Sequence, residues 1–446
     1  MTPPTATADP TAAAPAAPGP STTAASSVAP AAPARRPAAA GRYSRRISLT
    51  ERSYLMAHLM APPMAIQVFV EGAGALDPDE LARAVATASA ACPGARVVRR
   101  GPNWVDGGQS PPVVVVDGAD FDRETYGSEL LRRPFDPAKG PNCEVLLVTG
   151  EPTLLVFRVF HAVMDGKGVM AWITEVFRAL RGEPAVGAAG TETEEGFVAR
   201  FATSAERPAT EARWPSPLDG PGPTAAAAAA QCPAPADGAA ADPGWLWARR
   251  TVAGVHPALI ARTAVALTEC AGEDGRFMVP VNLRRHDPTV LSTANLTLPI
   301  LLDVPLGTSW RRVQGTLVKA MMDGQELNSD GPREGNVRLS SFAGLAPALA
   351  AARAADDHRA RYQACAILSE LGRPDLPGLS GAGFTARTVY SLPMYVPYAP
   401  AFLTLYQLPD RVEIAMSCRS GPGTAARAHA LLDRIEAALS GAGPAR

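Results

Sequence analysis

The clearest change of period along the chain lies between Thr153 and Gly182. Thr153–Phe160 is an almost unbroken apolar run rich in β-branched and aromatic residues, the pattern of a strand buried on both faces. From Val169 the apolar positions become Trp172, Ile173, Val176, Phe177 and Leu180, at steps of three and four residues, which gives a helix one apolar face that Gly182 can close. Gly166 and Gly168 separate the two patterns. Strand, turn, helix is the reading, with His161 at the strand terminus and Asp165 in the turn.

Similar patterns recur on either side. Cys143–Val148 and Thr153–Phe160, joined through Gly150-Glu151-Pro152, predict a hairpin, Val113–Val116 predicts a buried strand and Ala65–Glu71 a further strand. Asp77-Pro78-Asp79-Glu80 supplies a cap, a first-turn proline and acidic groups for a helix through Leu81, Val85 and Ala88 to Cys92-Pro93. Later, helices are expected from about Pro257 to Ala271, after a Ser309 cap, and from Thr424 to Leu439. Strands are expected over Leu296–Val304, and Ala401–Leu408 with Val412–Cys418 predict a second hairpin turned by Pro409-Asp410-Arg411. The polar region from Asp323 to Asn336 reads as a surface loop.

Composition divides the chain. Residues 1–41 are dominated by Ala, Pro, Ser and Thr and read as a disordered tail; 208–243, rich in Pro, Ala and Gly, reads as a linker. Two halves remain, 42–207 and 244–446. With 446 residues, 47% hydrophobic, the chain can bury a large core, and its net charge of −1 gives no electrostatic reason to bind nucleic acid or an anionic membrane. The six cysteines form no CxxC pair, so neither a zinc knuckle nor a redox motif is suggested. The first residues lack a basic start and an apolar core, and no run approaches the ~20 apolar residues of a membrane span, so a cytoplasmic protein without a membrane span is expected.

Histidine is the side chain best suited to taking a proton near neutral pH, and His161 is placed for it. His58, His256, His286, His358 and His429 lack such a context and are assigned surface or structural places, with His286, beside Arg284 and Arg285, the exception to inspect. No G-x-S-x-G elbow, P-loop or G-x-G-x-x-G after a strand is present. The hexapeptide His161-Ala162-Val163-Met164-Asp165-Gly166, between an apolar strand and an amphipathic helix, resembles the HxxxDG motif of the condensation-domain and acyl-CoA-dependent acyltransferase superfamily. Many condensation domains carry a second histidine before the first; Phe160 stands there, which leans away from the peptide-bond-forming branch. The DFGWG segment of the plant acyltransferases is also missing, which places the chain with bacterial relatives, polyketide-associated or alcohol acetyltransferase-like. Ile47-Ser48-Leu49-Thr50-Glu51-Arg52 resembles the family's opening segment, and Phe277–Arg285 resembles the segment carrying an arginine that pairs with the motif aspartate. Ala294-Asn295 stands where relatives carry Gly-Asn, and Ala366–Gly372 resembles a Ser-Asn-x-Gly segment with Glu370 in place of the asparagine.

The resemblance implies an α/β, pseudo-dimeric two-layer sandwich of two similar chloramphenicol acetyltransferase-like halves with a central tunnel. It implies that His161 acts as general base, that Asp165 holds the turn and pairs with Arg284 (Arg285 as runner-up), and that Gly166 leaves room for the acyl donor. Ser369 and Asn295 are candidates for the tunnel wall or the oxyanion site. No metal and no tightly bound cofactor are implied; acyl-CoA or a phosphopantetheinyl thioester is the co-substrate. The expected partners are a small-molecule acceptor and an acyl or peptidyl carrier protein, and the expected state is a monomer. The activity implied is that of a free-standing acyltransferase in secondary metabolism, forming an ester or amide. The alternatives are a free-standing condensation enzyme joining carrier-bound substrates, and an inactive binding or scaffold member, which the departures at Ala294 and Glu370 suggest.

Overall fold

Where a strand is covered on both faces its sequence need not alternate, and this explains the central run. The computed structural model describes residues 42–204, 212–219, 244–328, 351, 354–356, 359–396 and 398–441. The tail, most of the linker and the end of the polar region lie outside the described residues. In chain order the first half contains β1 (Ser44–Arg46), α1 (Leu49–Met60), β2 (Ala65–Ala73), α2 (Pro78–Ala91), β3 (Val97–Arg100), β4 (Asn103–Asp106), β5 (Val113–Val116), the short α3 (Glu129–Arg132), β6 (Cys143–Val148), β7 (Thr153–Phe160), α4 (Gly166–Leu180) and α5 (Glu194–Phe201). Within the stretch read as a linker, β8 (Trp214–Pro215) is ordered and Leu218 is buried in the second half's core; that half contains β9 (Trp245–Ala253), α6 (Leu259–Ala271), β10 (Gly275–Asn282), β11 (Thr297–Val304), α7 (Trp310–Met322), β12 (Arg361–Tyr362; paired with β8), β13 (Ala366–Gly372), β14 (Thr385–Leu392), β15 (Ala401–Gln407), β16 (Arg411–Arg419) and α8 (Thr424–Ser440).

Two large sheets organise these elements. The first runs β14-β2-β7-β6-β5 and the second β11-β10-β13-β15-β16-β9, while β1-β4-β3 form a small third sheet. Helices α2 and α4 pack on each other over the first sheet, with the predicted stripe Val169, Trp172, Ile173, Val176, Phe177 and Leu180 buried, and α6 and α8 cover the second. Burying each such side chain contributes roughly 1.5–3 kcal/mol, an upper estimate. On its other face the first sheet offers Phe69, Leu154 and Val156 to Trp247 and Ala415 of the second, so β7 is buried along its whole length. Arg158, the one charge in that strand, is satisfied by Glu144, by Gln67 Oε1 at 3.1 Å and by Arg133 O at 2.7 Å.

Several expectations need correction. Strand β14 comes from the second half of the sequence yet pairs antiparallel with β2, Val389 opposite Val70, so the halves share a sheet rather than splitting cleanly at 244. Val113–Val116 is a half-exposed edge strand, with Val115 51% exposed, rather than a buried one. Ser309 occupies the cap of α7 without a side-chain bond to it. Within the stretch expected to be a surface loop, Glu326 and Leu327 are buried in a short 3₁₀ turn. None of the helices among the described residues is long and apolar enough to cross a membrane.

Candidate active site

Strand β7 ends at Phe160, and the backbone then turns away: His161 N donates to Met64 O at 2.8 Å and Val163 N to Phe160 O at 2.9 Å. Alternation sends the two neighbouring rings in opposite directions. Phe160 is fully buried against His58, Trp104 and Phe135. His161 faces Tyr54 of α1, whose ring stacks on it at 4.0 Å between centroids and 26° between planes. Arg45 of β1, three residues before the α1 cap Ser48, reaches into the turn and donates to Val163 O at 2.8 Å.

The tautomer of His161 follows from its neighbour. Asn295 Nδ2 donates to His161 O at 2.8 Å and to Glu51 Oε1 at 3.2 Å, so both amide hydrogens have acceptors and Oδ1 must face the ring. That oxygen lies 3.1 Å from His161 Nδ1, which therefore carries the hydrogen and leaves Nε2 with a free lone pair. Burial favours the uncharged ring and outweighs the bonds and the Asp165 charge that favour protonation, so the His161 pKa is lowered from the ordinary 6.5. Behind Asn295, Glu51 is wholly buried and accepts from Arg45 at 2.7 Å, Trp104 Nε1 at 3.1 Å and Ser48 N at 3.1 Å. A buried carboxylate so bonded is a fixed anchor.

Of the two expectations for Asn295, tunnel wall or oxyanion, the second would need an amide hydrogen that the bonds to His161 O and Glu51 Oε1 already use. With both hydrogens engaged, Asn295 positions the imidazole. If His161 is the general base that the resemblance implies, replacing Asn295 with alanine is expected to lower kcat by about tenfold or more, by the logic of a lost orienting partner. The acid limb of the pH profile should move to lower pH, because the bond to Asn295 favours the protonated ring. An unchanged pH profile would count against the orienting role.

Asp165 points its carboxylate away from chemistry and into structure. Oδ1 accepts from Gly168 N at 2.7 Å and caps α4; Oδ2 accepts from Arg284 Nη1 at 2.9 Å, Leu296 N at 2.8 Å and Thr297 Oγ1 at 3.0 Å. Burial opposes its ionisation, but the Arg284 guanidinium and these donors hold its pKa below the usual value. Arg284 also donates to Ser292 O and Ala294 O at 2.9 and 2.7 Å, so one guanidinium fixes the loop that presents Asn295. Arg285, the runner-up, pairs instead with Glu326 at 2.8 Å, as does His286 at 2.9 Å.

The two glycines differ. At Gly166, the first residue of α4, an added Cβ would lie 3.0 Å from the flexible tip of Leu371; at Gly168 it would lie 2.1 Å from Thr293 O, a backbone atom of the other half. Gly168→Ala is therefore expected to destabilise by more than the ~1–3 kcal/mol typical of overpacking, and Gly166→Ala by less, as read by thermal or urea unfolding. Equal effects would show that the contact with Thr293 is not limiting. Ser369 sits half-buried in β13 opposite Thr404, and no bond joins it to His161; Glu370 beside it is exposed. The structure thus brings together His161, Asp165, Gly166, Arg284 and Asn295, and leaves Ser369 outside their hydrogen-bond network.

Glu51, Tyr54 and Arg45 are the residues that sequence reasoning missed. Only the Ser48-x-x-Glu51 capping box, which the structure forms, marked Glu51 as more than a surface acid.

No protein-family model and no curated protein matches this chain. Solved structures do. The condensation domain of the monacolin K polyketide synthase MokA aligns at 11% identity and TM-score 0.56, covering 88% of this chain and 96% of that one. A variant of the starter condensation domain of rhizomide synthetase RzmA in complex with C8-CoA aligns at 14% identity and TM-score 0.57, over 89% and 95%. The EpoB cyclization-docking bidomain from Sorangium cellulosum aligns at 13% identity and TM-score 0.54, over 89% and 86%. The chain has the two-lobed, pseudo-dimeric α/β fold of the condensation domains, with the His161 turn and the Asn295 loop meeting between its lobes.

Proposed function

We propose that this protein is an acyltransferase that moves an acyl group from a CoA or carrier-protein thioester to an alcohol or amine, with His161 as general base. The observation that carries the reading is the 3.1 Å bond from His161 Nδ1 to an Asn295 amide whose orientation its other partners dictate. A ring so held is uncharged and keeps Nε2 available for the acceptor's proton. As the acceptor oxygen or nitrogen bonds to the thioester carbonyl carbon, Nε2 takes its hydrogen; when the tetrahedral intermediate breaks its C–S bond, the imidazolium gives that hydrogen to the departing thiolate. The products are an ester or amide and a free thiol. For the oxyanion, the start of α4 offers the Gly166 and Lys167 N–H groups, which have no acceptor within the helix, at the positive end of its dipole. Asp165, fully bonded, takes no part in proton transfer.

The fold likeness to a domain solved with C8-CoA supports a thioester donor. Phe160, sealed in the core, leaves one histidine to do the work. Purified protein incubated with acyl-CoAs and mixed alcohols and amines is expected to release free thiol together with acylated product. Release only from carrier-tethered donors would favour a condensation enzyme joining carrier-bound substrates, and release from neither would overturn acyl transfer.

A further inference from the structure

Helix α1 presents two residues to the His161 ring. Glu51 and Tyr54 stand three positions apart, so their side chains share one face of the helix. Glu51 reaches the edge of the ring through Asn295, while Tyr54 covers its flat face, with centroids 4.0 Å apart and planes at 26°. The helix is pinned at its start, where the carboxylates of Glu195 and Glu194 in α5 accept from Leu49 N at 2.5 Å and Thr50 N at 2.6 Å. Burial, ahead of the neighbouring Tyr398 and Asp165, holds the Tyr54 pKa well above the ordinary 10.0. Tyr54 is therefore a neutral phenol that offers His161 its π face and no proton chemistry.

Burial disfavours the imidazolium, yet that charge must form when Nε2 takes the acceptor's hydrogen. The Asp165 charge that would compensate it is shared with Arg284 at 2.9 Å. An aromatic face carries the negative part of the ring quadrupole, and a cation within ~6 Å of the centroid is attracted to it. The Nε2 lone pair lies in the imidazole plane, so a ring stacked on the face leaves the acceptor's approach open. We infer that Tyr54 is a positioning residue for acyl transfer, acting through His161 by stabilising the imidazolium that forms there. The inference rests on the general-base reading. A neutral imidazole gains less from the π face than a charged one, so the contact strengthens as the transition state is reached and accelerates the step. No bond to Tyr54 is made or broken; the hydrogen passes from the acceptor to Nε2 and on to the departing thiolate.

Ring fluorination tests this with the shape of the side chain nearly constant, since each fluorine drains the π face and adds little volume. In the full chain, Tyr54→Phe is compared with the same variant carrying one, two and three ring fluorines. NMR titration of labelled histidine, with His161 assigned by its loss in His161→Ala, reads the stack without turnover; thiol release reads acyl transfer, so the two readings fail separately. Across the series the His161 pKa is expected to fall stepwise, by about 0.5–1.5 in all, and kcat at a pH where the ring is uncharged by about three- to thirtyfold, as a cation–π contact of ordinary strength requires. Donor KM should not follow the series. A ring that only packs against His161 would give a pKa independent of fluorine content, and such a flat series would overturn the inference whatever the thiol assay shows. A falling pKa with an unmoved kcat would overturn it too, because the stabilised charge would then play no part in turnover.

Discussion

His161→Ala is expected to slow thiol release by about 10²–10⁴-fold, the range a positioned general base supplies, or about 3–5 kcal/mol of transition-state stabilisation. The loss should fall on kcat rather than on donor KM, since the ring acts on the acceptor's proton and not on the acyl chain. A companion pH profile sharpens the test. Burial lowers the His161 pKa from 6.5, so the basic form persists below that pH, and kcat should fall only as the pH drops through the depressed value. Truncation also leaves Asn295 Oδ1 without its donor and Tyr54 without its stacked partner, a cost of ~1–3 kcal/mol that an unfolding curve would register. Activity is therefore to be compared under conditions where the variant is folded. Full turnover by folded His161→Ala would remove the imidazole from the chemistry.

What could be read from the sequence was whatever local periodicity encodes. The β6–β7 hairpin, the α4 stripe and the Asp77 cap, which accepts from Glu80 N at 2.8 Å, follow from neighbours a few residues apart, and the structure has them where the pattern put them. The motif residues were found through resemblance, and the Asp165–Arg284 contact spans 119 positions that no periodicity could bridge. The remainder depends on contacts still more remote. Glu51 touches Asn295 across 244 positions, and its sequence context signals only a helix start. Strand β14 is buried from Thr388 to Leu392, and nothing local says that its partner is β2 in the other half. Gly166 and Gly168 look equivalent in a turn; only the carbonyl of Thr293 tells them apart.

Asp165→Asn and Arg284→Met should each destabilise the fold by about 3–5 kcal/mol, because either change strands a buried partner. The side chains are 3% and 12% exposed, so solvent screens the pair little. Arg284→Met should be the more damaging, since it also releases Ser292 O and Ala294 O and so loosens the loop that aims Asn295 at His161. It is therefore expected to lower kcat even where the protein stays folded, whereas the asparagine variant, which can keep part of the α4 cap, should lose mainly stability. The double variant should cost clearly less than the two singles combined, as expected of groups in direct contact. Acid titration gives an independent sign. Asp165 has a folded pKa below its ordinary 3.8, so its contribution is fully present above that value and is lost as the pH falls through the folded pKa. Asp165→Asn should flatten that part of the stability curve. Urea unfolding of the four proteins from pH 7 down to the acid limit measures all of this; single-variant costs below 1 kcal/mol, or strictly additive ones, would mean that the lobes are held together elsewhere and that Asp165 serves only to start α4.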